Sequence, residues 1–435
     1  MYRAVVYLND DQPVGEELLL RPGKNLLNGS RELISEFGEI TSLELDLLNV
    51  SASIFACDLA FKRGEREEIA RRIELTIPVV NYATFEAIRD DIRFALFILS
   101  HDAWTINFTP AKGVPEETSA WAQESADTLL LFSGGLDSFS AAIDLGDKDQ
   151  KKSVELVSHV TANPVVRGTQ EELYSYLATQ YPDRYHRTHF HVSARSSGEF
   201  GFPPDTQRED SQRTRSFLFL SLAAIVARRR EIRNVVYIAE NGQMAIHLPL
   251  TAARIGAFST YTAHPEFLNK MQSLLGSILR YPITITNPYL YVTKAEVVRS
   301  VVNHHWTMIE GTVSCWKASR VRGNLNHCGV CVPCLIRRIA LEYNGMLLAE
   351  YREDLFGKDV ASLPPDNEGK RNLAELGEFV KLFETVKSQA EIEGLYPDLV
   401  NPYFDADQAV GMYRRFAMEA RTILNRYPNI RQFLE

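Results

Sequence analysis

Two stretches of this 435-residue chain hold residues whose types and spacing could do chemistry. The first is Ser133-Gly134-Gly135-Leu136-Asp137-Ser138, which directly follows the apolar run Leu129-Leu130-Leu131-Phe132. Adjacent glycines let a backbone turn tightly and approach a ligand closely. The hydroxyls of Ser133 and Ser138, with the free N–H groups at the start of a helix, favour an anion, most naturally a phosphate. Asp137 could hold the cation that such a phosphate brings, because Mg²⁺ prefers a carboxylate together with phosphate oxygens. The plainer reading is a strand–turn–helix joint with glycines for packing.

The second stretch is Cys315-x12-Cys328-Gly329-Val330-Cys331-Val332-Pro333-Cys334. Four thiolates suit tetrahedral Zn²⁺, and short Cys-x-x-Cys steps place successive sulfurs around one ion. No water-bearing position is implied, so the zinc would be structural. His327 stands next to Cys328 and could substitute as a ligand. A redox Cys-x-x-Cys and an iron–sulfur cluster are the rival readings. The fifth cysteine, Cys57, is isolated among apolar residues and reads as core.

These residues need elements to position them. Leu129 to Phe132 reads as a buried parallel strand, and Phe139-Ser140-Ala141-Ala142-Ile143 as the first turns of a helix. From Thr128 the pattern alternates: strands at 154–160 and 188–192, a helix at 170–180, a long Gly/Pro-bearing loop at 195–213, a helix at 217–228, and strands at 234–239 and 283–286. That order predicts an α/β fold with a doubly wound parallel sheet, whose ligands sit beyond the carboxyl ends of the strands. A loop of the length of 195–213 suggests a lid or disorder.

Residues 1 to about 110 read as an N-terminal α+β unit without a catalytic constellation. Ile73, Leu75 and Ile77 alternate as a strand, as do Trp104, Ile106 and Phe108; residues 2–8 and 40–48 are further strand candidates. Phe85, Ile88, Ile92, Ala95, Leu96 and Leu99 mark a helix with Thr84 as N-cap. Residues 111–127 read as a linker with a short helix around Trp121, and residues 346–435 as a helical extension. There, Leu373, Leu376, Val380 and Phe383 mark one helix; Tyr413, Phe416, Ala417, Ala420 and Leu424 mark another, capped by Asp405 or Asp407. Core packing is the preferred reading of both stripes.

Composition bounds the answer. The chain is 45% hydrophobic and 24% charged, with a net charge of −9. That balance argues against a broad nucleic-acid footprint. The longest apolar run, 218–227, contains Ser221 and falls short of a membrane span, and the N-terminus has no signal-peptide layout. Clustered cysteines fit a metal in a reducing cytoplasm.

A Ser-Gly-Gly-x-Asp-Ser loop after an apolar strand resembles the pyrophosphate loop (PP-loop) of the N-type ATP pyrophosphatases. Combined with the late Cys…Cys-Gly-x-Cys-x-x-Cys segment, it resembles 7-cyano-7-deazaguanine synthase, the QueC family. Asn287-Pro288-Tyr289 followed by Thr293-Lys294-Ala295-Glu296, and Arg215-Ser216-Phe217-Leu218-Phe219-Leu220, carry further likeness. The resemblance covers roughly residues 128 to 345. Leu136 stands where the family has Gln, the first cysteine gap is longer than usual, and Glu240-Asn241-Gly242-Gln243 replaces an Asp/Cys-bearing stretch. The flanks on both sides resemble the long QueC-like proteins of bacterial anti-phage operons, the QatC type.

The resemblance implies the adenine-nucleotide α-hydrolase fold, ATP with Mg²⁺, a structural zinc on Cys315, Cys328, Cys331 and Cys334, and a deazapurine carboxylate as substrate. Phe132 to Ser138 would bind ATP, with Ser133, Asp137, Ser138 and Lys294 as catalytic residues. Lys294 and Arg215 would bind phosphate or carboxylate, while Glu240 and Asn241 at a strand's carboxyl end would read the purine edge. The expected partner is a co-encoded defence-system protein; no membrane is expected, nucleic acid is disfavoured, and a homodimer stays open. Two other readings keep the loop: a tRNA-modifying PP-loop enzyme, and a non-catalytic nucleotide-binding scaffold. His247, His264, Arg254, His304 and His305 are weak signals, read as structural.

Overall fold

The computed structural model describes residues 1–8, 17–64, 70–114, 125–148, 152–160, 164–232, 236–250, 261–317, 325–347, 351–386 and 388–434. The helix expected around Trp121, and Arg254, lie outside the described residues.

Eleven strands are described: β1 (Tyr2–Val6), β2 (Leu18–Leu20), β3 (Leu26–Asn28), β4 (Arg72–Val79), β5 (Ala103–Pro110), β6 (Thr128–Leu131), β7 (Val154–His159), β8 (Tyr185–Phe190), β9 (Val192–Ala194), β10 (Val236–Tyr237) and β11 (Ile285–Thr286). The apolar β6 and the more mixed β7, which carries Glu155, Ser158 and His159, are buried at every position, as strands covered on both faces must be. They form the centre of a five-stranded sheet in the order β11-β10-β6-β7-β8, parallel throughout. The chain runs outward from β6 to β8, then returns to place β10 on the other side of β6. The order therefore reverses between β6 and β10, where the carboxyl ends open a crevice. The Ser133–Ser138 loop leaves β6 at that point.

The first 110 residues build a second sheet, β2-β1-β4-β5, whose pairings are also parallel. This unit is α/β in the strict sense, where the sequence reading said α+β. Helical crossovers return the chain to the same end of the sheet between β2 and β4, and between β4 and β5. The strand expected at 40–48 is instead the start of the Ser42–Ala60 helix. Thr41 and Glu44 close a capping box there, and the helix is buried on nearly all sides, so its apolar run carries no strand-like alternation. Thr84 lies inside the Tyr82–Ala87 helix and is not a cap; Asn81 precedes that helix.

One hydrophobic cluster runs from β1, β4 and the Ser42–Ala60 helix into the Arg215–Arg229 and Pro265–Leu279 helices. β3 pairs antiparallel with β9, and Asp58 accepts from Thr214 N–H (2.8 Å) and Thr214 Oγ1 (3.1 Å) just ahead of the Arg215–Arg229 helix. The 195–213 loop is docked in this seam: Asn25 Nδ2 donates to Gly201 O (3.2 Å) and Glu209 N–H to Leu59 O (2.9 Å). It is a joint between the two sheets, where the sequence reading suggested a lid or disorder.

The C-terminal stripes face a core of their own. Leu373, Leu376, Val380 and Phe383 meet Tyr413, Phe416 and Leu424 over Leu335 and Ile339 of the Val332–Tyr343 helix. Asp405 supplies the cap, accepting from Gln408 N–H (3.0 Å). Among the described residues, no helix is long and apolar enough to cross a membrane.

Candidate functional site

Gly134 adopts a left-handed φ of +79°, which aims its carbonyl at Val313 N–H (3.1 Å). A Cβ on Gly134 would also press on Gln170 Cγ at 3.1 Å, a tight contact that adds to the conformational preference for glycine. Gly135 N–H donates to Ser133 Oγ (3.2 Å), Ser138 Oγ donates to Gly135 O (3.0 Å), and the two hydroxyls lie 3.2 Å apart. The Leu136–Lys148 helix makes its first bond from Phe139 N–H to Gly135 O (3.0 Å). The amides of Leu136, Asp137 and Ser138 are thus left uncommitted to the helix, the arrangement that attracts phosphate oxygens.

Asp137 is the centre of charge. Lys294 Nζ donates to its Oδ1 (2.6 Å) and Asn241 Nδ2 to its Oδ2 (2.8 Å). Asp137 and Lys294 are each 6% exposed. Lys294 opens the Lys294–His304 helix, fixed by the Thr293/Glu296 capping box, and Lys294 N–H donates to Gln243 Oε1 (3.0 Å). Burial works against the Asp137 charge, but the Lys294 ammonium and the bonds from Lys294 and Asn241 outweigh it and hold the carboxyl below the usual range. Glu240 stands beside this pair and receives Asn241 Nδ2 at 3.3 Å. Burial and then the Asp137 charge push its carboxyl well above the usual range. The two carboxyls are thus pushed in opposite directions, Asp137 toward its charged form and Glu240 toward its neutral form, with Lys294 bonded to the first. Such a pair offers a carboxylate and an amine that an ionic ligand could separate.

Arg215 lies apart from this cluster, on the β7 side of the loop. Its guanidinium packs 4.7 Å from the Phe219 ring centroid, next to His159, and makes no ion pair or hydrogen bond among the described residues. Burial pulls it down to about 10, which leaves it cationic at neutral pH.

The four cysteines converge as expected. Their sulfurs all lie within 4.8 Å of one another and are buried, with Cys315–Cys331 at 3.8 Å and Cys328–Cys334 at 3.9 Å. Sulfurs about 2.3 Å from a central zinc sit about 3.8 Å apart in a tetrahedron, so the donor set and spacing fit Zn²⁺. His327 is not in the set: its Nε2 accepts from Ser314 N–H (3.2 Å).

Residues 198–345 match the family model described as "Queuosine biosynthesis protein QueC". A 7-cyano-7-deazaguanine synthase of Agrobacterium fabrum is 28% identical over 145 residues, 33% of this chain and 54% of the relative. The chain thus spans about half the length of that curated relative. This QueC-like region contains Arg215, Glu240, Asn241, Lys294 and all four cysteines; the Ser133–Ser138 loop precedes it in sequence.

Beside the QueC-like region, two loop side chains face away from any ligand. Phe132 and Leu136 are each 1% exposed and pack with Phe139 in the core below the loop. Only their backbones can meet a ligand, so the sequence departure at Leu136 does not alter the surface that a ligand would touch. Leu136→Gln is expected to lower stability by about 1–3 kcal/mol by burying an amide and to leave nucleotide affinity unchanged. Thermal melts and calorimetry would check both.

Asn241 is engaged at both ends of its amide, since Oδ1 also accepts from Met244 N–H (3.3 Å) at the start of the Gly242–Ile246 helix. Asn287 fixes Glu240 through both backbone groups (3.2 and 2.7 Å). Gln170 donates to Ser133 O (3.2 Å) and His159 O (3.3 Å). Gln170 and Val313 escaped the sequence reading because nothing local marks a residue brought to the loop from another crossover; Asn287 stood in a flagged segment without a role.

The C-terminal Ala406–Leu424 helix also braces the QueC-like region. Thr293 Oγ1 donates to Glu419 Oε1 (2.8 Å), and Tyr413 Oη accepts from Leu248 N–H (3.1 Å). Burial raises Glu419 to about 7, with Glu296 adding and the Thr293 bond, Arg415 and Arg299 opposing. Its folded value exceeds the unfolded one, so its favourable contribution is complete at acid pH and is lost as pH rises through about 7. Glu419→Gln is expected to raise stability by roughly 1–3 kcal/mol at pH 8 and to change it little at pH 4. A wild-type-like pH profile in the variant would refute this.

Proposed function

We propose that this protein binds ATP–Mg²⁺ at the Ser133–Ser138 loop and adenylates the carboxylate of a 7-deazapurine such as 7-carboxy-7-deazaguanine. The observation that carries the reading is Asp137, held by Lys294 and Asn241 at the mouth of the β6 loop, with both partners drawn from the QueC-like region. The loop amides and the hydroxyls of Ser133 and Ser138 hold the β- and γ-phosphates. Lys294 swings from Asp137 to a phosphate oxygen, which frees Asp137 to hold Mg²⁺. Bound Mg²⁺ spreads the phosphate charge.

Arg215, without a counterion among the described residues, takes the substrate carboxylate, and Glu240 reads the purine edge. A carboxylate oxygen attacks the α-phosphorus; the bond to the β-phosphate oxygen breaks and pyrophosphate leaves. An amine then attacks the acyl carbon, AMP leaves with the carboxyl oxygen, and the amine loses a proton to give the amide. The acceptor is ammonia or an amine of a co-encoded partner protein, in an anti-phage defence role. The 1–110 unit and the 346–435 helices support the partner-protein form, because a small-molecule ligase needs no such flanks.

The test is mass spectrometry of a reaction with purified protein, ATP, Mg²⁺ and 7-carboxy-7-deazaguanine, with and without ammonia and the partner protein. AMP and pyrophosphate that depend on the deazapurine support the reading, and the product mass identifies the acceptor. No AMP under any condition sinks it. The tRNA-thiolating alternative needs a sulfur-carrying cysteine near the loop. Four cysteines form the metal cluster and Cys57 is fully buried, so no observation favours that reading.

A further inference from the structure

The phosphate loop and the cysteine centre share one short segment, residues 309–315. At one end of that segment, Val313 N–H holds Gly134 O (3.1 Å), Val313 O lies 3.3 Å from where a Gly135 Cβ would sit, and Thr169 Oγ1 donates to Gly311 O (2.9 Å). At the other end stands the metal ligand Cys315.

Arg337 ties the two together. It is completely buried, and it follows Cys334 by one turn of the Val332–Tyr343 helix. Its guanidinium donates to Thr312 Oγ1 (2.8 Å), Ser314 Oγ (3.1 Å) and Ile309 O (2.6 Å). Among the described residues no carboxylate is in direct contact with it, although Tyr351, Cys334 and the Asp137 charge favour the cation from farther off, and burial still works against it. A buried cation bound only by neutral acceptors is costly. A zinc ion with four thiolates carries a net charge of −2, so a loaded centre adds counter-charge on the Cys334 side of Arg337. The loaded centre thereby favours the Arg337 arrangement, and that arrangement fixes the segment against which Gly134 and Gly135 are shaped.

We propose that the cysteine centre and the phosphate loop are one energetically coupled unit, with Arg337 as the positioning residue that links them. The proposal rests on the reading that the loop binds ATP phosphates. Coupling between sites is reciprocal: zinc tightens ATP binding, and ATP holds zinc in place.

The experiment uses the full-length zinc-loaded protein. A chelating dye reports the rate of zinc release with and without ATP–Mg²⁺, and calorimetry measures ATP binding in parallel. In the wild type, saturating ATP–Mg²⁺ is expected to slow release by about fivefold or more. Arg337→Met is expected to keep its zinc, bind ATP at least about fivefold more weakly, and lose the protection, with Arg337→Lys intermediate. Ser314→Ala, which removes one acceptor and leaves Arg337 in place, is expected to lose part of the protection and covers the case in which Arg337→Met does not fold. ATP binding without any change in zinc release in the wild type would overturn the proposal, as would full protection in Arg337→Met. No ATP binding in calorimetry would overturn the loop reading itself, and the coupling with it.

Discussion

Lys294→Met is expected to abolish AMP formation and to lower the unfolding free energy by about 3–5 kcal/mol, the usual cost of stranding one partner of a buried ion pair. The variant leaves Asp137 facing Glu240, with Asn241 as donor and its contacting cation removed. Asp137→Asn is expected to abolish activity too, yet to cost only about 1 kcal/mol. There Lys294 keeps a counterion within reach, because the Glu240 carboxyl, relieved of its anionic neighbour, can ionise. The two variants also separate by pH. In the wild type Asp137 is held below the usual carboxylate range, so its stabilising contribution is present at neutral pH and is lost as pH falls through that depressed value. Without Lys294 both carboxyls are pushed up, and stability declines as pH rises. Urea unfolding at pH 5 and pH 8 measures both effects. Equal losses in the two variants, or a Lys294→Met loss that does not grow with pH, would show that Glu240 is not coupled to the pair.

The second large effect belongs to the four-cysteine cluster. Cys331→Ser is expected to abolish stoichiometric zinc binding and to lower stability by about 5 kcal/mol, roughly 10 °C in Tm. Isolated zinc modules gain about 10–16 kcal/mol from their ion. Here Tyr351 and the neighbouring C-terminal core pack around the cluster and retain part of the fold. Elemental analysis of the wild type and calorimetric melts of both proteins give the answer. One iron–sulfur chromophore in place of zinc, or an unchanged melt after metal removal, would refute the structural-zinc reading.

The parallel sheet was legible because β6 and β7 are short runs rich in apolar residues and spaced by helical stretches, a pattern that depends on neighbours in sequence. The same reasoning failed at 40–48. A helix buried on nearly every side shows neither a clean stripe nor an alternation, and the Thr41/Glu44 box was the one local mark of its start. It also read the 195–213 loop as a lid or disorder, because the docking that fixes it depends on Asn25 and Leu59, far away in sequence.

The sequence by itself determined the chemistry available: Ser133, Asp137 and Ser138 around two glycines, a lysine at the start of a capped helix, and four cysteines at metal-ligand spacing. Those are properties of residue type and local spacing, and each is set within a few residues. The tertiary structure decided which of them meet. It brought Lys294 and Asn241 onto Asp137, left Arg215 on the far side of the loop, turned Leu136 and Phe132 into the core, and placed Arg337 between the loop and the cysteines. Each of these contacts joins residues separated in sequence and is fixed by the strand order at the β6–β10 reversal and by packing between crossovers. Such contacts exist only once the whole sheet has closed.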